Sequence, residues 1–97
     1  MANVLTGNPL FVESVTGAAV TGYRLITKVV WSSDDGTNMD IATDDDFKMT
    51  DTAGNVLLGK QAKGAGDGDT WDYNPPFRVN GITVTELDGG VLYIYQR

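Results

Sequence analysis

The stretch that most limits what this chain can fold into is residues 77–95, FRVNGITVTELDGGVLYIY. Three short runs rich in Val, Ile, Thr and Tyr are separated there by Asn80-Gly81 and by Asp88-Gly89-Gly90. β-Branched and aromatic side chains suit a pleated, half-buried surface, and Asn-Gly or Asp-Gly supplies the positive φ that tight hairpin turns need. The spacing predicts a C-terminal β-meander ending in a buried strand.

The rest of the chain carries the same signal. Leu10 and Val12 alternate in a first strand candidate that is followed by a break at Gly17. The run YRLITKVVWS at 23–32 then alternates with period two, placing Tyr23, Leu25, Thr27, Val29 and Trp31 on one face. Arg24, Ile26, Lys28, Val30 and Ser32 share the other, with Arg24 and Lys28 toward water. At helical spacing these residues give no clean polar face. Residues 32–36 read as a turn. Met39 and Ile41, then Phe47 and Met49, point inward from two further strands separated by Asp44-Asp45-Asp46. Asp51-Thr52-Ala53-Gly54-Asn55 has the composition of a hairpin loop closed by a left-handed Gly. Residues 70–73 form a short strand candidate that Pro75-Pro76 ends, on an edge or a connection, because proline cannot donate to a ladder. The expectation is one all-β domain over 1–97. It is a small antiparallel β-sandwich (jelly-roll-like) or barrel of about eight strands, with 1–9 as an arm that binds a partner.

Composition narrows the chemistry. There is no cysteine and no histidine among the 97 residues, which removes disulfides, thiolates, the commonest general base and the commonest metal ligand. Ser14, Ser32 and Ser33 therefore have nothing to activate them as nucleophiles. The first residues lack the basic and long apolar segments of a signal peptide, so synthesis in a reducing cytoplasm is expected. No apolar run approaches a membrane span. Net charge is −6, and ten of the thirteen acids fall within 34–72. An acidic face repels phosphate backbones and anionic bilayers, so neither nucleic acid nor a membrane is an expected partner.

Three constellations invite a function. Asp44-Asp45-Asp46 resembles a hydrolase carboxylate set, yet adjacent aspartates in a turn point to water and repel one another rather than holding the fixed pair that acid–base work requires. Asp67, Asp69 and Asp72 alternate through a Gly-rich loop and are candidate calcium ligands. Trp71 stands where the EF-hand order needs a ligand, and no glutamate follows at the required distance, so the expected metal and cofactor content is none. Trp71, Tyr73, Pro75, Pro76 and Phe77 form an aromatic–proline cluster beside that loop. Such a cluster caps a core, makes a protein–protein hot spot, or stacks a sugar ring.

The pattern Phe77-x-Val79-x-Gly81-Ile82-x-Val84-x-x-Leu87-Asp88-x-Gly90-x-Leu92-Tyr93-Ile94-Tyr95 resembles the endings of small all-β proteins of tailed bacteriophages and prophages. Phe47-Lys-Met-Thr-Asp51, followed by Ala53-Gly54-Asn55-Val56-Leu57, is similar to the hairpin that precedes such endings. The resemblance implies a non-enzymatic virion protein: a capsid decoration (cement) protein, or a head or tail accessory protein. It would dock on the major capsid protein or another virion component, with a homotrimer as the preferred oligomer. The expected contacts are Val4 and Leu5 in the arm, with Trp71, Tyr73, Pro75, Pro76 and Phe77 at one end. The competing expectation is a carbohydrate-binding β-sandwich module, calcium-dependent if Asp67, Asp69 and Asp72 act together.

Overall fold

Leu10 and Val12, two residues apart and both buried, make β1 (Leu10–Val12) in the computed structural model, which describes residues 3–33 and 40–97. The other strands are β2 (Ala19–Ser32), β3 (Asp46–Thr50), β4 (Val56–Gln61), β5 (Asp69–Leu87) and β6 (Val91–Gln96). They form one sheet in the order β1-β6-β2-β5-β3-β4, and every neighbouring pair is antiparallel. Among the described residues the chain is all-β, with six strands in place of about eight because two of them are long. The turn expected over 32–36 and the inward Met39 lie in part or wholly outside the described residues. Ile41 is buried as expected, but from a connection rather than a strand.

β5 makes one sheet into two layers. Its residues 69–72 and 77–83 pair with β2, and residues 83–87 pair with β3 on the other edge. β3 is thereby carried over the first layer, and Phe47 meets both Trp31 of β2 and Trp71 of β5, with ring centroids 4.8 and 5.4 Å apart. Tilted aromatic pairs of this kind add about 0.5–1.5 kcal/mol each beyond the area they bury. Val29, Trp31, Leu92 and Ile94 from one layer face Phe47, Met49, Ile82 and Val84 from the other, and all are at most 2% exposed. The indole Nε1–H of Trp31 donates to the Gly89 carbonyl at 3.0 Å, so its one polar group is satisfied inside the core.

The closing stretch differs from a meander in one respect. Asp88-Gly89-Gly90 is a turn, but Asn80-Gly81 lies inside β5, and β6 pairs with β1 and β2 rather than returning along β5. Gly81 has φ +78°, while among the described residues Asp44 is the one non-glycine with positive φ. An Asn-Gly turn of the primed type needs both central residues left-handed, so Asn80 does not make one. Gly81 instead bends β5 opposite a bulge in β2, where the register slips between Val20 and Tyr23 and Gly22 has φ +88°.

A second irregularity, between Ile26 and Lys28, corrects the face assignment of β2. One extra residue reverses the alternation, so Ile26, Val29 and Trp31 point inward while Tyr23 and Leu25 point out. Opposite it, residues 73–76 of β5 form an excursion that takes Pro75 and Pro76 out of the ladder, since Lys28 pairs with Asp72 and Ile26 with Phe77. Asn74–Pro75 and Asn8–Pro9 are cis. The strand does not end at the prolines, as its composition predicted, but passes around them. The Asp51–Asn55 loop is the β3–β4 hairpin, with Gly54 at φ +89°.

Candidate functional site

The sequence holds three arginines, Arg24, Arg78 and Arg97, widely separated along the chain. Strand pairing brings Arg78 and Arg97 to one face, beside the β2 segment that holds Arg24. Leu25 of β2 sits opposite Arg78 of β5, and on its other side its carbonyl accepts the Arg97 backbone N–H at 2.9 Å, one residue beyond β6. Directly paired residues share a face, and Tyr23 lies on that same face two residues before Leu25. The reversal of alternation after Ile26 turns this face outward, leaving Tyr23 68% and Leu25 37% exposed.

Tyr23 pairs with Asn80, which makes Arg78 its diagonal neighbour across the strands. The Arg78 guanidinium carbon stands 4.5 Å from the centre of the Tyr23 ring, a cation–π contact. Arg24 is held differently. Its Nη1 donates to Gln96 Oε1 at 2.9 Å and its Nη2 to the Thr21 carbonyl at 3.3 Å, while Nε is buried with no acceptor among the described residues. The outer wall is residues 6–8. Asn8 fixes it by donating Nδ2–H to the Gln96 carbonyl (2.6 Å) and accepting the Gln96 N–H at Oδ1 (2.9 Å), as a strand neighbour would.

Between that wall, Thr21, Tyr23–Arg24 and Gln96–Arg97 lies a cleft of about 520 Å³. A second hollow of about 350 Å³, bounded by Tyr23, Arg24, Leu25, Arg78 and Arg97, shares Tyr23, Arg24 and Arg97 with it. Both volumes fall in the range of small-ligand sites, about 300–1,000 Å³. Ion pairs among the described residues are made by Lys48 with Glu86 (3.5 Å) and by Lys60 with Asp67 and Asp69 (3.6 and 3.4 Å). None involves an arginine. In a chain of net charge −6, the cleft gathers arginines that no carboxylate among the described residues pairs with, around an exposed aromatic ring.

The residues singled out from sequence are dispersed. Trp71 packs on Phe47 and the core, and Tyr73 stacks on Phe77 at 5.4 Å, where burial raises its phenol above the ordinary value. Pro75 is exposed and Pro76 half-buried in the excursion between them. Asp67 and Asp69 share the Lys60 ammonium, and Asp72 is exposed on β5. Asp67 also accepts the Lys63 N–H at 2.9 Å, and that bond, ahead of Lys60, holds its carboxyl below the usual range. Among the described residues no group of three or more candidate ligands is gathered in a way that would hold a metal ion. At the other end, Val4 exchanges backbone hydrogen bonds of 2.8 Å with Phe11, and Leu5 packs against the core, so the chain itself orders that segment. Asp45 accepts the Ala42 N–H at 2.7 Å within its turn. Asp46 has its carboxyl raised, first by desolvation and then by the neighbouring Asp88 and Glu86.

Sequence reasoning missed the cleft because its parts are far apart in the chain and join only through register. One clue was present. Tyr23 and Arg24 sit together just after Gly22, and every arginine lies outside the acidic middle of the sequence.

No family model matches the sequence, and no curated protein does. A solved structure of a fucose binding module of Streptococcus pneumoniae, SpX-3, is similar in fold, with a TM-score of 0.51 at 6% sequence identity. The likeness covers 81% of this chain and 64% of that one, so this chain spans somewhat less than two-thirds of the module's length. At that identity it speaks to the fold, an antiparallel β-sandwich.

Proposed function

We propose that this protein is a carbohydrate-binding module that takes a sugar in the Tyr23 cleft and does so by binding alone, without catalysis. The observation that carries the reading is the cleft itself: an exposed tyrosine ring flanked by guanidinium donors, on a fold like that of a fucose binding module. The electron-rich face of an aromatic ring favours the weakly positive C–H groups of a sugar, and planar guanidinium groups donate in fixed directions to ring substituents. Arg78 covers one side of Tyr23, and the ring is otherwise largely open to solvent. Sequence reasoning had assigned sugar binding to Trp71, Tyr73 and the 67–72 loop. The proposed site lies instead at the end of the sheet where β2, β5 and β6 meet residues 6–8.

The alternative of docking on a shell through Trp71, Tyr73 and Phe77 draws less support, since those rings are partly buried against the core or one another. Glycan-array screening followed by calorimetric titration tests the proposal. The expected result is saturable binding of at least one glycan, weakened about tenfold or more by Tyr23→Ala, the equivalent of ~1.4 kcal/mol. Because Tyr23 is exposed, its removal is expected to change stability by about 0.5 kcal/mol or less. Absence of binding across the array, with co-sedimentation on phage particles, would replace this reading with the docking one.

A further inference from the structure

We infer that the sugar recognised in this cleft carries an oxyanion, a carboxylate or a sulfate ester, held by Arg78 and Arg97 on either side of Leu25 with Arg24 as a fixed charge beside them. The inference rests on the carbohydrate reading and adds the charge of the ligand to it.

The argument begins from donors and acceptors. A neutral sugar hydroxyl both donates and accepts, so a site for neutral sugars offers both kinds of partner. In this cleft both side-chain amide oxygens are engaged, and the hydroxyls of Thr6, Thr21 and Tyr23 are the other side-chain acceptors. Asn8 Oδ1 accepts the Gln96 N–H, and Gln96 Oε1 accepts the Arg24 guanidinium. What remains is rich in donors: the guanidinium groups of Arg78 and Arg97, which accept nothing, beside the hydroxyl of Tyr23. A carboxylate or sulfate only accepts, and guanidinium matches it with paired, charge-assisted hydrogen bonds.

Charge leads to the same conclusion. Arg24, Arg78 and Arg97 line one hollow of about 350 Å³, Arg78 and Arg97 from the face that carries Leu25, and among the described residues none has a carboxylate within ion-pair distance. Like charges gathered this way repel one another, and an anion seated between them relieves that repulsion. Eleven acids lie among the described residues, yet the ion pairs there go to Lys48 and Lys60, away from the cleft. Arg24, fixed by Gln96 and the Thr21 carbonyl, contributes its charge without first having to be ordered. Leu25, between Arg78 and Arg97, gives the ring of a bound sugar an apolar floor.

The test is calorimetric titration of the full chain with matched sugars that differ only in the anion: galactose against galacturonate and galactose 6-sulfate, and glucose against glucuronate. Sodium sulfate and sodium acetate alone serve as separate arms. One charge-assisted contact is worth roughly ten- to hundredfold in affinity. The acidic member of a pair is expected to bind at least about tenfold tighter than its neutral partner. Arg78→Gln and Arg97→Gln are each expected to bring the ratio toward parity. Lys48→Gln, which changes net charge equally but lies outside the cleft, is expected to leave it unchanged. The carboxylated and sulfated arms show which oxyanion is preferred. Equal binding of neutral and acidic partners overturns this inference and leaves the carbohydrate reading standing. Inorganic sulfate or acetate binding as tightly as the acidic sugars overturns it too, since the sugar would then contribute nothing. No binding to any sugar, neutral or acidic, overturns both.

Discussion

Gly81→Ala separates a bend inside a strand from a hairpin turn, and the two possibilities differ in magnitude. Gly81 has φ +78°, so alanine there meets the left-handed penalty of about 1–2 kcal/mol. Its new methyl group would also collide with Thr52 Oγ1 and come within 3.0 Å of the Val20 carbonyl oxygen. Overpacking of that kind typically costs about 1–3 kcal/mol more, for a total of about 2–5 kcal/mol. Gly22, across the bend at φ +88°, supplies the comparison, because nothing lies within 4 Å of a Cβ built there. Gly22→Ala is expected to cost the conformational penalty alone, about 1–2 kcal/mol. Equilibrium urea unfolding measures both, with the slope checked for constancy. Adding Thr52→Ala to Gly81→Ala removes one colliding atom but not the backbone oxygen, so it is expected to restore part of the loss. If Gly81→Ala costs no more than Gly22→Ala, the bend reading fails, and residues 80–81 form an open turn of the kind the dipeptide suggests.

Two further outcomes follow from the core and from the β3–β4 loop. Trp31→Phe removes the donor to the Gly89 carbonyl and leaves that oxygen buried and unpaired, so a loss of about 1–3 kcal/mol in urea unfolding is expected; a change within error would show that the carbonyl finds another partner. Asp51 has its carboxyl held below the usual range, first by the Asn55 side-chain amide and then by the backbone N–H groups of its own loop. A depressed carboxylate stabilises the fold fully above the unfolded value near 3.9 and loses that contribution as pH falls through the lowered folded value. The stability gap between the wild type and Asp51→Asn should therefore narrow on acidification, read as urea midpoints against pH, and a gap independent of pH would remove the carboxylate from the account.

How far the fold was legible depended on whether a signal was local. The β3–β4 hairpin could be read directly, because Asp51 and Gly54 do their work within five residues, through hydrogen bonds to Ala53 and Asn55 and a left-handed glycine. Leu10 and Val12, Phe47 and Met49, and Leu92 and Ile94 are buried in alternation, as period two requires. Tyr23 and Ile26 were misassigned because the bulge between Ile26 and Lys28 is set by pairing with β5 and β6, and one inserted residue exchanges the faces of everything beyond it. Trp71 drew attention as a candidate contact aromatic, yet Phe47 from the opposite layer had already claimed one side of it.

The sequence by itself determined that the chain would be all-β and antiparallel, that residues 51–55 and 88–90 would turn, and that Leu10, Val12, Phe47 and Met49 would be buried. Those properties follow from side-chain shape and alternation within a few residues. It also determined that the middle of the chain would be acidic and the arginines set apart from it. Only the tertiary structure decided that residues 77–95 are a strand shared between two layers followed by a strand on the first, and not a meander. The reason is that pairing partners are chosen by burial across the whole sheet, whereas Asn80-Gly81 specifies only a change of direction. By the same register, Leu25 came to lie between Arg78 and Arg97 with Tyr23 exposed beside them. No short stretch of the chain encodes that cleft; two bulges and three strands meeting at one end of the sheet create it.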